Sequence, residues 1–104
     1  MPRRITRHDI PTTGGPSVLS GRPSALDLTF GTFHAEARAI GVGPAPTIVI
    51  DLWAEDEPRT EVTRHVFQAF ETGAELPDNA AWRHTTGRLD GRVWHVYELI
   101  GEDL

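Results

Sequence analysis

Five histidines stand in a chain of 104 residues, His8, His34, His65, His84 and His95, and the first chemistry they suggest is metal binding. A zinc site is usually built from close pairs, such as two imidazoles four apart on a helix or paired thiolates, backed by a third ligand. None of the five is spaced that way, and the chain has no cysteine. His84 and His95 fall on the two arms of a predicted hairpin. With its turn at Asp90-Gly91, position 84 lies about opposite position 97, which makes the two imidazoles diagonal neighbours on one face. His65 on an adjacent strand could supply a third ligand. Ordinary hydrogen-bonded or exposed histidines explain the pattern as well, and no metal or other cofactor is assigned.

Acyl transfer needs a nucleophile held by a base that a further group orients. Ser17, Ser20 and Ser24 sit in a stretch rich in Gly, Pro and Ser with no nucleophile-elbow pattern, although a triad can assemble from distant positions. Gly14-Gly15 and Gly41-Val42-Gly43 are too short to cradle a phosphate and are not followed by Lys and Ser or Thr, so they read as turns. The acidic runs Glu55-Asp56-Glu57 and Glu102-Asp103 read as solvated charge in a loop and a terminus. The lack of cysteine removes disulfides and thiolate nucleophiles together. With no catalytic constellation in view, the reading leans away from an enzyme.

The residues best suited to contact a partner or ligand are Arg64, His65, His84, Trp94 and His95. Alternation along the last strand puts Trp94, Val96 and Glu98 on one face and Val93, His95, Tyr97 and Leu99 on the other. Both faces carry aromatic bulk. A core strand buried on both sides explains that, and so does a face covered by a second copy or another protein. Arg64, His65, His84 and His95 could also meet phosphates, which keeps a small-molecule or nucleotide-sequestering binder as an alternative.

These side chains have to be positioned by strands. Ile5–Ile10 alternates loosely and stops at Pro11; Ala25–Phe30 alternates more cleanly. Residues 12–23 form a predicted loop with a short extended piece at Val18-Leu19, and residues 41–46 a second loop. Phe33–Ile40 satisfies both helical and alternating spacing, and among neighbouring hairpins it is read as strand. Thr47–Ala54, β-branched and nearly all apolar, is expected to be a central strand covered on both faces. Thr60–Phe70 follows, then turn chemistry at Thr72-Gly73 and Pro77-Asp78. Finally Trp82–Gly87 pairs with Arg92–Ile100 across Asp90-Gly91, the favoured pair for a type I′ turn. The sum is a mainly β, single domain over residues 1–104: a small antiparallel barrel or sandwich of about seven short strands, at most one short helix, and a flexible tail at 101–104.

Composition narrows the setting. Three Trp, four Phe and one Tyr supply a modest core of the kind a chain this size can bury. All ten basic residues are Arg and none is Lys, which reads as the codon bias of a GC-rich genome. A formal net charge of −5 argues against nucleic acid, whose phosphates attract a basic stripe. The cluster Arg3, Arg4 and Arg7 is a weak patch. No apolar run reaches membrane-spanning length, and no apolar stretch follows the basic N-terminus, so a cytoplasmic location is expected.

Several of these segments together resemble a family of small tailed-phage proteins, common in phages of actinobacteria. The shared pattern is a basic first strand (Arg3–Ile10), a central strand ending at Leu52-Trp53, the Thr72-Gly73 turn, and a hairpin strand reading Val93-Trp94-His95-Val96-Tyr97-Glu98. The likeness covers roughly the last sixty residues well and the first ten loosely; Ser17–Gly43 is longer here than in the usual member. That family has no settled activity, so the resemblance transfers no catalytic residue. It implies an origin as a phage or prophage accessory gene. With no catalytic constellation and an aromatic surplus for so small a core, the expected role is host takeover or counter-defence by binding a host or phage protein in the host cytoplasm, with self-association as a homodimer. A minor virion component is a further alternative.

Overall fold

Strand β4 (Thr47–Asp56) sets the architecture. Its alternation turns Ile48, Ile50, Leu52 and Ala54 to one side, where all are buried. It pairs antiparallel with β1 (Arg4–Pro11) on one edge and β3 (Gly31–Ile40) on the other. A second sheet packs over that apolar stripe, in the order β2 (Ser17–Gly21), β5 (Thr63–Glu71), β7 (Trp94–Leu99), β6 (Ala80–Thr85), again with antiparallel neighbours. It supplies Leu19, Phe67, Ala69, Trp94 and Val96, and one cluster joins them to Ile10, Phe30, Ala35 and the β4 stripe. Each large apolar side chain closed off this way contributes about 1.5–3 kcal/mol.

This computed structural model describes residues 2–23, 30–41, 43 and 47–102. Among them are seven strands, no helix, and two open sheets, so the domain is an all-β sandwich and not a closed barrel. Among the described residues no helix is long and apolar enough to cross a membrane. Phe33–Ile40 is strand, and the extended piece at Val18-Leu19 is β2. The strand expected at Ala25–Phe30 lies outside the described residues apart from Phe30, as do Val42, residues 44–46 and the last two of the tail.

Two expectations are corrected. β4 is central, but only one of its faces lies in the core. The other carries Val49, Asp51 and Trp53, and Asp51 is buried because Arg38 clamps it with bonds of 2.9 and 3.1 Å. That clamp holds the Asp51 carboxyl below its usual range, while Asp9, opposite Asp51 in the ladder, is pushed up by facing it. The second correction concerns Glu55-Asp56-Glu57. Glu55 is exposed and paired with Arg3, but Asp56 accepts the Arg22 amide at 3.0 Å, and Glu57 is only 2% exposed. Arg59 grips Glu57 through its side chain (2.8 and 3.0 Å), and the tight turn is closed by Thr60 N–H to Glu57 C=O. The run is a knot tying the β4–β5 connection to the exit of β2, where Thr60 also donates to Pro23 C=O.

Glycine matters most at Gly21. A Cβ there would come within 2.5 Å of the Phe30 ring, so Gly21 is what lets Phe30 close that end of the core.

The Arg59 hydrogen bonds hold the Glu57 carboxyl down at about 2, against 4.5 when unperturbed. A depressed carboxylate stabilises the fold above its unfolded value and loses that contribution as pH falls through its folded one. The melting temperature should therefore fall between pH 4.5 and about 2. In Glu57→Gln the neutral-pH melting temperature drops and this acid limb becomes shallower; a limb of unchanged steepness would contradict the assignment.

Candidate functional site

The hairpin of β6 and β7 positions most of the candidate side chains. Its turn is as expected: Asp90 and Gly91 both take positive φ, 51° and 74°, between reciprocal Leu89–Arg92 backbone bonds of 2.9 and 3.0 Å. Those dihedral signs define a type I′ turn. Register is then lost by one residue. Between the Leu89–Arg92 bridge and the Thr86 N–H bond to Trp94 C=O, one arm contributes Gly87 and Arg88 where the other has Val93. Thr86, buried, stitches the irregularity by accepting the Trp94 amide on its hydroxyl at 3.2 Å. His84 consequently faces Val96, not position 97, and Thr85 faces His95. Because a shift of one residue reverses every side chain, His84 and His95 lie on opposite faces of the sheet. They are not the diagonal neighbours anticipated above.

His95 points outward, with its ring nitrogens 3.0 Å from the Thr85 hydroxyl and 2.9 Å from that of Thr72. Arg64 is exposed on the same face near the far end of β5, opposite Ser20. His65 points inward. Its Nε2 lies 2.8 Å from Thr63 Oγ1, its Nδ1 2.9 Å from Glu98, and its ring packs on Phe30 at 5.0 Å. Glu98 is held from the other side by Arg83 at 3.1 and 3.2 Å. Trp94 is 2% exposed, with the Arg92 guanidinium 4.7 Å from its ring and Arg92 bound bidentate to Glu71. The five candidates are thus split between core, inner face and outer face. The four cationic or imidazole groups do not converge on one phosphate, and Trp94 is closed to a partner.

Thr63, His65 and Glu98 form a hydroxyl–imidazole–carboxylate line, the connectivity that activates a nucleophile. Sequence reasoning weighed only serines and missed it. Neither Thr63 nor His65 lines the openings along β3 and β6, beside Phe70, or beside Thr12, and Glu98 is already paired with Arg83. The line reads as an internal brace. Among the described residues, no group of three His, Asp or Glu side chains is placed to hold a metal ion.

With the strands and their side chains located, comparison with known proteins is informative at one level. The DUF7352 family, a domain of unknown function, matches residues 1–103. The chain belongs to the DUF7352 family. It matches no curated protein and no solved structure.

The DUF7352 domain has two surfaces that the sequence did not mark. β5 and β6 run in the same direction with β7 between them, so residues 72–79 must cross over β7. They do so on the outer side. A pocket of about 180 Å³ lies between Ala74 and Leu76 of the crossing segment and Phe70, His95 and Tyr97 of the sheet. Val66 and Leu99, outside the main core, are buried on this face. Beside the crossing segment the face stays open: Trp82 is 57% exposed, Leu76 45% and Val18 39%. The second surface lies between the edge strands β3 and β6. Each carries a bulge, at Phe33 and Arg83, and His84 sits between them with its Nε2 buried and unpartnered. Burial lowers the His84 pKa, opposed by a bond to the Thr32 backbone and reinforced by His34 and Arg83.

Two tryptophans of one domain should behave oppositely. Trp94→Ala empties a core site and should destabilise by about 3–5 kcal/mol, while Trp82→Ala should change stability by less than about 1 kcal/mol. Glu98→Ala leaves His65 and Arg83 without their shared carboxylate and should destabilise by about 2 kcal/mol. Urea unfolding of the three variants checks the order; a Trp82 variant less stable than the Trp94 one would contradict the placement.

Proposed function

We propose that this DUF7352 protein is a non-enzymatic accessory protein of a phage or prophage that acts by binding another protein in the host cytoplasm, with self-association as a homodimer through the same surface. The observation that carries this reading is the outer face of the four-stranded sheet. Trp82, Leu76 and Val18 are exposed there beside half-buried Tyr97 and Phe70, whose rings meet edge-on at 5.7 Å. Trp82 stands opposite Tyr97, and Leu76 shares one opening with Tyr97 and Phe70; contiguous exposed apolar surface of this kind marks interaction sites, and aromatic side chains anchor them. The phage setting rests on the resemblance at Val93–Glu98 and the preceding turns, and on the arginine-only basic composition. A role in host takeover or in countering host defence follows from that gene class.

A Leu76→Glu variant places a charge on this face without touching the core or the β3–β6 side of the sandwich. It should keep the wild-type circular dichroism and lose at least tenfold in association, read for the second copy by sedimentation and for a host or phage protein by pull-down from infected cells. Wild-type association by the folded variant would end the proposal, and so would a wild-type protein that neither self-associates nor retains any protein.

A further inference from the structure

On the side of the sandwich where both sheets end, two openings of about 420 and 410 Å³ meet at Phe33 and His84. Together they form a trough that follows β3 from Gly31 to Ala37 and takes in Trp82–Thr85 and Gly87–Leu89 on the other wall. At about 3.3 Å per residue the β3 wall is about 20 Å long. It is bounded by two strands that, among the described strands, each have a neighbour on one edge only, and extended peptides add to such edges.

We propose that this trough binds a short extended peptide segment of a partner protein, with a carboxylate at its Arg88 end. This deepens the protein-binding reading above and rests on it. Three observations point to the occupant. First, the walls are two strand edges with the His84 ring between them where the openings join, a geometry that suits an extended backbone. Second, at one end Glu55 is paired with Arg3 and Arg83 is held by Glu98, whereas at the other Arg88, in the same opening as Glu36, makes no ion pair with any described residue. Third, Phe33 is 48% exposed where the two openings join, and offers an apolar rest for one side chain. The bulges at Phe33 and Arg83 break the straight run of each edge, which disfavours a long flat strand from a second copy and favours a short segment.

The test selects a yeast-displayed library of random ten-residue peptides on the full chain. Enriched sequences are synthesised with capped ends and titrated into ¹⁵N-labelled protein. The expected result is enrichment of an acidic residue at a fixed position and amide shifts confined to residues 31–37 and 82–89. Replacing that acid by its amide should weaken binding at least tenfold, Arg88→Ala should remove the difference, and His84→Phe should weaken binding further. Leu76→Glu, on the outer face, should leave peptide binding unchanged. No enrichment, shifts on another surface, or indifference to both Arg88→Ala and His84→Phe would overturn the proposal. So would trough shifts produced by nucleoside phosphates and not by any peptide. If peptide binding fails while the outer face still drives association, this inference falls alone; if neither surface binds protein, both readings fall.

Discussion

The molecule is organised by the position of β7 between two strands that run parallel to each other. Because β5 and β6 flank β7 in the same direction, no tight turn can join them, and the chain between them has to pass across the sheet. That passage lies over Phe70, His95 and Tyr97 and leaves Trp82 exposed beside it. It also delivers β6 to the edge of its sheet, opposite β3. Both surfaces to which function is assigned here are thus consequences of one connection.

The strands themselves were legible because local chemistry specified them. Asp90-Gly91 accepts positive φ at both positions, and Ile48, Ile50, Leu52 and Ala54 alternate toward a single face. The orientation of individual side chains was less accessible. One extra residue between Thr86 and Leu89 reverses His84 relative to His95, and nothing in the composition of Gly87-Arg88 announces it. Trp82 and Trp94 have the same side chain and both sit in alternating strands; what separates them is that Trp94 turns to the core while Trp82, opposite Tyr97, turns outward on an edge strand. Glu57 looked like solvent-facing acid because the eye groups it with Glu55 and Asp56, yet Arg59 two residues on folds back to cover it.

Most of the groups capable of chemistry are occupied with one another. His65 is braced by Glu98 and Thr63, His95 by Thr72 and Thr85, Arg38 by Asp51, and Arg92 by Glu71 and the ring of Trp94. Such pairs lock rotamers and specify the register of neighbouring strands, and they leave little unsatisfied capacity for catalysis. Against that background the few loose ends stand out: an imidazole nitrogen without a partner, an arginine at the mouth of a trough, and an indole in water.

The pairing of β1 with β4 carries a consequence for how the protein is made. Arg4 meets Asp56 and Pro11 meets Val49, so β1 has no β4 partner until about forty to fifty further residues have been synthesised. During that interval Ile5 and Ile10 belong to an unpaired ribbon. Its arginines and the terminal proline of the strand suit it to resist premature sticking, and they keep that use in the folded protein, where β1 is an edge of its sheet among the described strands.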